Sequence, residues 1–120
     1  MPNYLDFVSI QVRDLERSKL FYHDLLGLQF EPDPPPHAVV FDRGKGATFT
    51  VRKPIIDLDS VTSLGAGVAL WFTTLDIDAL HQNLTAANVK VLQQPQPFQF
   101  GKMMMVVTDP DGYTITIYQP

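Results

Sequence analysis

Apolar and polar residues alternate from Phe7 to Val12, with Val8, Ile10 and Val12 on one side of an extended segment and Phe7, Ser9 and Gln11 on the other. This period of two marks a strand buried on one face. From Asp14 the period lengthens to that of a helix whose apolar stripe is Leu15, Tyr22, Leu25 and Leu26. Asp14 supplies the N-cap oxygen, Glu16 suits the positive end of the helix dipole, and Gly27 follows the last turn, where a left-handed residue is wanted. A short strand is predicted over residues 28–31, ahead of the run Asp33-Pro34-Pro35-Pro36, because proline gives no hydrogen bond to a ladder. Strands over 37–42 and 47–52, joined by the turn Gly44-Lys45-Gly46, complete a βαβββ order.

The second half repeats that order. An offset of 60 lays Val8 on Val68, Ile10 on Leu70, Val12 on Phe72 and Leu15 on Leu75. A helix is predicted over 75–87, with Ile77, Leu80, Leu84 and Ala87 on one face, followed by strands near 90–93, 102–107 and 114–118. The last two strands are joined by Asp109-Pro110-Asp111-Gly112, a strong turn sequence. By then the offset is 66, matching Gly46 to Gly112, Thr48 to Thr114, Phe49 to Ile115, Thr50 to Thr116 and Val51 to Ile117. A longer linker in the second copy accounts for the drift. A chain of 120 residues buries one core rather than two independent ones. The expected class is therefore α+β, a single domain 1–120 with module one at 1–53, a linker at 54–66 and module two at 67–120.

Composition removes several functions. With 45% apolar and 18% charged residues the chain belongs with folded proteins, not disordered ones. Nine Lys and Arg residues scattered singly in a chain of net charge −4 give no footprint for nucleic acid, and the negative balance tilts a cavity toward cationic guests. Without cysteine there is no disulfide, thiolate nucleophile or Cys-ligated metal, which fits a cytoplasmic location. The start, MPNYLDFVSI, lacks a basic signal region, and no stretch approaches the roughly 20 apolar residues of a membrane span.

The pattern D-L-x-x-S-x-x-F-Y-x-x-x-L-G from Asp14 to Gly27, together with D-P-D-G-x-x-I from Asp109 to Ile115, resembles the vicinal oxygen chelate superfamily: glyoxalase I, extradiol dioxygenases, fosfomycin-modifying enzymes and bleomycin-resistance proteins. The likeness spans nearly the whole chain. It implies two βαβββ modules forming a cupped mixed sheet, helices outside and a cavity inside, and assembly as a homodimer. Metal enzymes of the family hold a divalent cation with one His, Glu or Gln from the first and last strand of each module. The matching positions here are Phe7, Gly67 (Ala69 if the register slides by two), Thr50 and Thr116. A neutral threonine hydroxyl does not offset the cost of stripping water from such an ion, so neither a metal nor another cofactor is expected.

Strand alternation sets the inward-facing residues: Phe7, Ser9 and Gln11; Thr48, Thr50 and Arg52; Ala69, Trp71 and Thr73; Thr114, Thr116 and Tyr118. The mixture of rings, hydroxyls and one arginine suits a small-molecule pocket. The candidate ligand-binding residues are Phe7, Gln11, Thr50, Arg52, Trp71, Thr116 and Tyr118, with His37 at the rim and Phe98 and Phe100 at the mouth. Ser9, Thr48 and Thr114 also suit a plain strand, and Met103–Met105 fit a mouth lining, ordinary packing or a dimer contact equally well. His23 and His81 are expected at the solvated surface. The function read from these residues is metal-independent binding of a small molecule, of the bleomycin-resistance type, which would sequester a toxic or antibiotic-like compound. The alternative is a metal-free isomerase or lyase on the same fold. A metal-dependent glyoxalase or dioxygenase is less favoured, and nucleic-acid and membrane partners are not expected.

Overall fold

The computed structural model describes residues 2–42, 44 and 46–120. The chain divides into two compact units, Met1–Val61 and Thr62–Pro120, each built on its own mixed sheet of three or four strands. The class is α+β.

In the first unit, β1 (Phe7–Gln11) lies parallel to β3 (Thr48–Arg52), and β2 (Ala38–Phe41) runs antiparallel to β3, giving the order β1-β3-β2. Partners across a ladder share a face. The register Ser9↔Thr50 and Val40↔Thr50, with Gln11↔Arg52 and Phe7↔Thr48, therefore collects these residues on one side. Val8, Ile10, Val39, Phe41, Phe49 and Val51 take the other side, against which the helix packs. That helix, α1 (Leu15–Lys19), starts as the sequence predicts: the Asp14 carboxylate accepts the N–H groups of Glu16 and Arg17 at 3.0 and 3.2 Å.

The continuation differs from expectation. From Leu20 to Leu25 the chain is a π-helix, with the N–H of Leu26 reaching the carbonyl of Phe21 at 3.1 Å. Each residue turns through less angle there, so the buried stripe becomes Ser18, Phe21 and Tyr22, while Leu25 and Leu26 are only half-buried. Tyr22 makes edge contacts with Phe21 and Phe49 at 4.9 and 5.0 Å. Residues 28–31 form no strand. They make a single bridge, Phe30 to Phe41, flanked by the N–H of Glu31 on the Val40 carbonyl and that of Asp42 on the Gln29 carbonyl. The prolines from Pro32 onward stop the ladder there. Of the predicted Gly44-Lys45-Gly46 turn, Lys45 lies outside the described residues. The two glycines carry the positive φ that such a turn requires, 86° and 78°.

In the second unit, β4 (Leu70–Thr73) lies parallel to β7 (Thr114–Gln119), which pairs with β6 (Lys102–Thr108), which pairs with β5 (Val91–Phe98). The helix α2 (Ile77–Ala86) is capped by Asp76, whose carboxylate accepts the Ala79 N–H at 3.0 Å. It therefore begins two residues later than predicted. Leu75 precedes the cap and is 96% exposed, so it belongs to no buried stripe. The two caps, Asp14 and Asp76, fix the equivalence of the halves at an offset of 62 rather than 60. Strand pairing agrees: Phe49 and Ile115 correspond, and their parallel partners are Val8 and Leu70. Ser9 thus corresponds to Trp71, and Phe7 to Ala69.

β5 is longer than predicted and runs through Pro95 and Pro97. Only an edge strand tolerates this, and β5 is the edge of the order β4-β7-β6-β5, with irregular register on either side of Gln93. The hairpin turn is held by Asp109, 5% exposed, whose Oδ1 accepts the N–H groups of Asp111, Gly112 and Tyr113 at 2.9–3.0 Å. Gly112, at φ 100°, completes it. Asp109→Ala leaves those donors without their acceptor, and urea unfolding of the variant is expected to show a loss of about 2 kcal/mol. Asp109→Asn keeps an acceptor oxygen and should lose about half as much.

Among the described residues no helix is long and apolar enough to cross a membrane.

Candidate functional site

The register of the second sheet determines which side chains meet. Lys102, Met104 and Val106 share a face with Tyr118 and Thr116 through Met104↔Tyr118 and Val106↔Thr116. Trp71 joins through Thr116, and Phe98 through Lys102. Met105 falls on the opposite face and is fully buried, with Val107, Ile115 and Ile117. The methionine run is therefore divided: Met105 is core, and Met104 stands on the open side.

At one end of that open face the rings of Trp71, Phe98 and Tyr118 come together, with centroids 5.7, 5.9 and 6.3 Å apart and planes inclined by 42–68°. Together with Gln99, Phe100 and Lys102 they line an open cavity of about 400 Å³. Trp71 leaves 48% of its surface exposed and Phe100 93%. Neither ring is consumed by the core. Phe100 has φ 60°, a left-handed conformation uncommon for a bulky side chain, and Gly101 beside it has φ 74°. This tight turn, Gln99–Gly101, connects β5 to β6 and sets Phe100 at the cavity rim. The Lys102 ammonium lies 5.9 Å from the centre of the Tyr118 ring. Among the described residues no carboxylate lines the cavity.

Four of the predicted ligand residues, Trp71, Phe98, Phe100 and Tyr118, are thus gathered in one place. Thr116 is the ladder partner of Trp71 on the same face but does not line the cavity. Phe7, Thr50 and Arg52 lie on the face of the first unit's sheet away from the helix. Phe7 is 47% exposed, Thr50 is buried, and the Arg52 Nε donates to the Lys53 carbonyl at 3.1 Å. Gln11 is there too, but its side-chain carbonyl accepts the backbone N–H groups of Ile55 and Ile56 at 2.7 and 3.2 Å. It ties down the segment after β3. His37 is exposed ahead of β2, with the alternation of Val39 and Phe41, the helix-covered face. His23 is half-buried rather than fully solvated: its Nδ1 lies 2.7 Å from the Leu28 carbonyl and its ring meets Phe30 edge-on. Gln99 and Lys102 were not foreseen. Lys102 reaches the Tyr118 face through the β6–β7 pairing, two residues before Met104.

The positions at which metal-dependent relatives would place ligands are Phe7, Ala69, Thr50 and Thr116 once the offset is fixed at 62. They offer two carbon side chains and two neutral hydroxyls. Among the described residues no three His, Cys, Asp or Glu side chains are grouped to hold a metal ion. The residues present do not fit a divalent cation.

The sequence model of the Glyoxalase/Bleomycin resistance protein/Dioxygenase superfamily matches residues 4–117. The chain belongs to that superfamily. Solved structures share the fold of this superfamily member. A protein of unknown function from Agrobacterium tumefaciens str. C58 is 25% identical with a TM-score of 0.79, over 100% of this chain and 96% of the other. An antibiotic binding protein from Streptomyces sp. CB03234 is 23% identical with a TM-score of 0.74, over 99% and 97%. A lactoylglutathione lyase from Agrobacterium tumefaciens is 18% identical with a TM-score of 0.69, over 98% and 95%. No functionally curated protein matches the sequence. One fold thus carries both binding and catalysis, and the choice between them rests on the residues of the site.

Proposed function

We propose that this member of the superfamily is a metal-independent small-molecule binding protein that captures an aromatic, antibiotic-like or otherwise toxic compound in the cavity at Trp71. The observation that carries the reading is the pairing of an open aromatic cavity with metal positions occupied by Phe7, Ala69, Thr50 and Thr116. Exposed rings on a rigid sheet supply affinity at little entropic cost, because their rotamers are already limited by strand neighbours. Turnover would need a group placed to move protons. Among the described residues that line the cavity there is no histidine or carboxylate, and Lys102 and Tyr118 are the ionisable ones. A protein of the same fold from Streptomyces is an antibiotic binding protein, which supports this reading.

The test is a thermal-shift screen of the purified chain against planar aromatic compounds, neutral and charged, in buffer containing a chelator. A guest present at about a hundred times its dissociation constant should add about 2.7 kcal/mol to stability. Hits that appear only after Zn, Ni or Mn is added would contradict the reading.

The same reading includes a homodimer. Tyr4 and Leu5 are 82% and 79% exposed and precede the half-exposed Phe7, three apolar side chains around Asp6 that suit burial against a second copy. Light scattering at micromolar concentration should give twice the 13.5 kDa chain mass. A monomer mass alone would remove the dimer without touching the cavity.

A further inference from the structure

We infer that the guest captured at Trp71 is a planar aromatic anion, a flat ring system bearing one carboxylate or comparable acidic group; this rests on the cavity reading above. The ring arrangement does not itself choose a charge. Three rings inclined to one another could enclose a flat hydrocarbon or cage a quaternary ammonium group, which aromatic faces attract. Lys102 decides between them. Its ammonium is on the same face as Tyr118 and already stands over that ring, so an incoming cation would meet a like charge a few ångströms away. Among the described residues no carboxylate in the lining relieves that repulsion, and none forms an ion pair with Lys102. An acidic group on the guest would be the ammonium's first partner. The rings would exclude water from part of the pair and strengthen it. The chain's net charge of −4 acts against an anion only weakly, because charges beyond about 8 Å are screened at physiological salt. The cation inside the cavity therefore outweighs the acidic surface, reversing the preference that composition alone suggests.

The experiment compares three probes of matched shape: 2-naphthoate, the neutral 2-naphthalenemethanol, and (2-naphthylmethyl)trimethylammonium. Binding is read by calorimetry and by the indole N–H cross-peak of Trp71, which is unambiguous because it is the chain's one tryptophan. The carboxylate should bind about five- to tenfold tighter than the alcohol, the ammonium more weakly than either, and the advantage should shrink as salt is raised. Lys102→Met retains the apolar stem and should bring the carboxylate down to the level of the alcohol measured in the same variant, abolishing the preference. If the alcohol and the ammonium shift the Trp71 signal as strongly as the carboxylate, or Lys102→Met keeps the preference, the charge assignment is wrong and the pocket stands. If none of the probes shifts the signal at millimolar concentration, the pocket reading itself fails, and the assignment with it.

Discussion

Phe41→Ala is expected to lower the unfolding free energy by about 3–5 kcal/mol, the range for deleting a fully buried aromatic ring. Phe41 has no exposed surface. Its ring stacks on Phe49 at 6.1 Å with planes 21° apart and meets Tyr22 at 5.9 Å, and its backbone makes the bridge to Phe30. Removing it empties the space between the π-helical turn and β3, which the fixed backbone of a three-stranded sheet cannot close. A domain's whole stability is about 5–15 kcal/mol, so the alanine variant is expected at the edge of folding. Phe41→Leu, which keeps most of the volume, should cost about 1 kcal/mol and remain measurable by urea unfolding. Phe30→Ala, where the ring is 39% exposed and packs on His23 and under the Lys19 ammonium, should cost no more than about 1 kcal/mol. Similar losses for Phe41→Ala and Phe30→Ala would contradict this account of the first unit's core.

The second large effect concerns binding. Trp71→Ala should weaken capture of 2-naphthalenemethanol by about 2 kcal/mol, roughly thirtyfold, as loss of a central aromatic anchor does. Trp71 contacts both Phe98 and Tyr118 and lines the cavity. Because nearly half of its surface is exposed, the substitution removes little core packing, so the affinity loss can be separated from any loss of fold. Calorimetry is the suitable readout, since the variant lacks the indole. Phe30→Ala removes an exposed ring that does not line the cavity and should leave affinity unchanged. Equal weakening in the two variants would show that the guest is not held at Trp71.

Much of the fold was legible because its devices are local. Asp14 and Gly27 bracket the first helix, Asp109 to Gly112 make the last turn, and alternation separated the helix-covered Val8, Ile10 and Phe72 from the open-faced Ser9 and Trp71. What alternation cannot do is fix register: a slide of two residues leaves every side chain on its face. That is why the repeat read as an offset of 60 when the structure has 62, and why Leu75 was assigned to a helix that begins only after Asp76. The aspartates themselves carried the answer. The π-turn at Leu20–Leu25 was not legible, since no composition separates a π-turn from the α-turns around it, and Phe21 was left off the buried stripe as a result. Pro95 and Pro97 looked like the end of a strand and are instead an edge strand's tolerated prolines, a distinction that only sheet order makes. At the site, alternation puts Trp71 and Tyr118 on the open face, whereas Lys102 joins them only once β6 is paired with β7, and the Gln11 side chain is held by Ile55 and Ile56.

The central claim is that capture at Trp71 needs no metal, and one titration tests it most directly. 2-Naphthalenemethanol, which carries no charge, is titrated into chelator-treated protein, and the titration is repeated after addition of Zn²⁺, Ni²⁺ or Mn²⁺ in slight excess. Phe7, Ala69, Thr50 and Thr116 predict the same dissociation constant and the same Trp71 indole shift in every sample. Binding that is absent from the chelated protein and restored by one of the ions would contradict it.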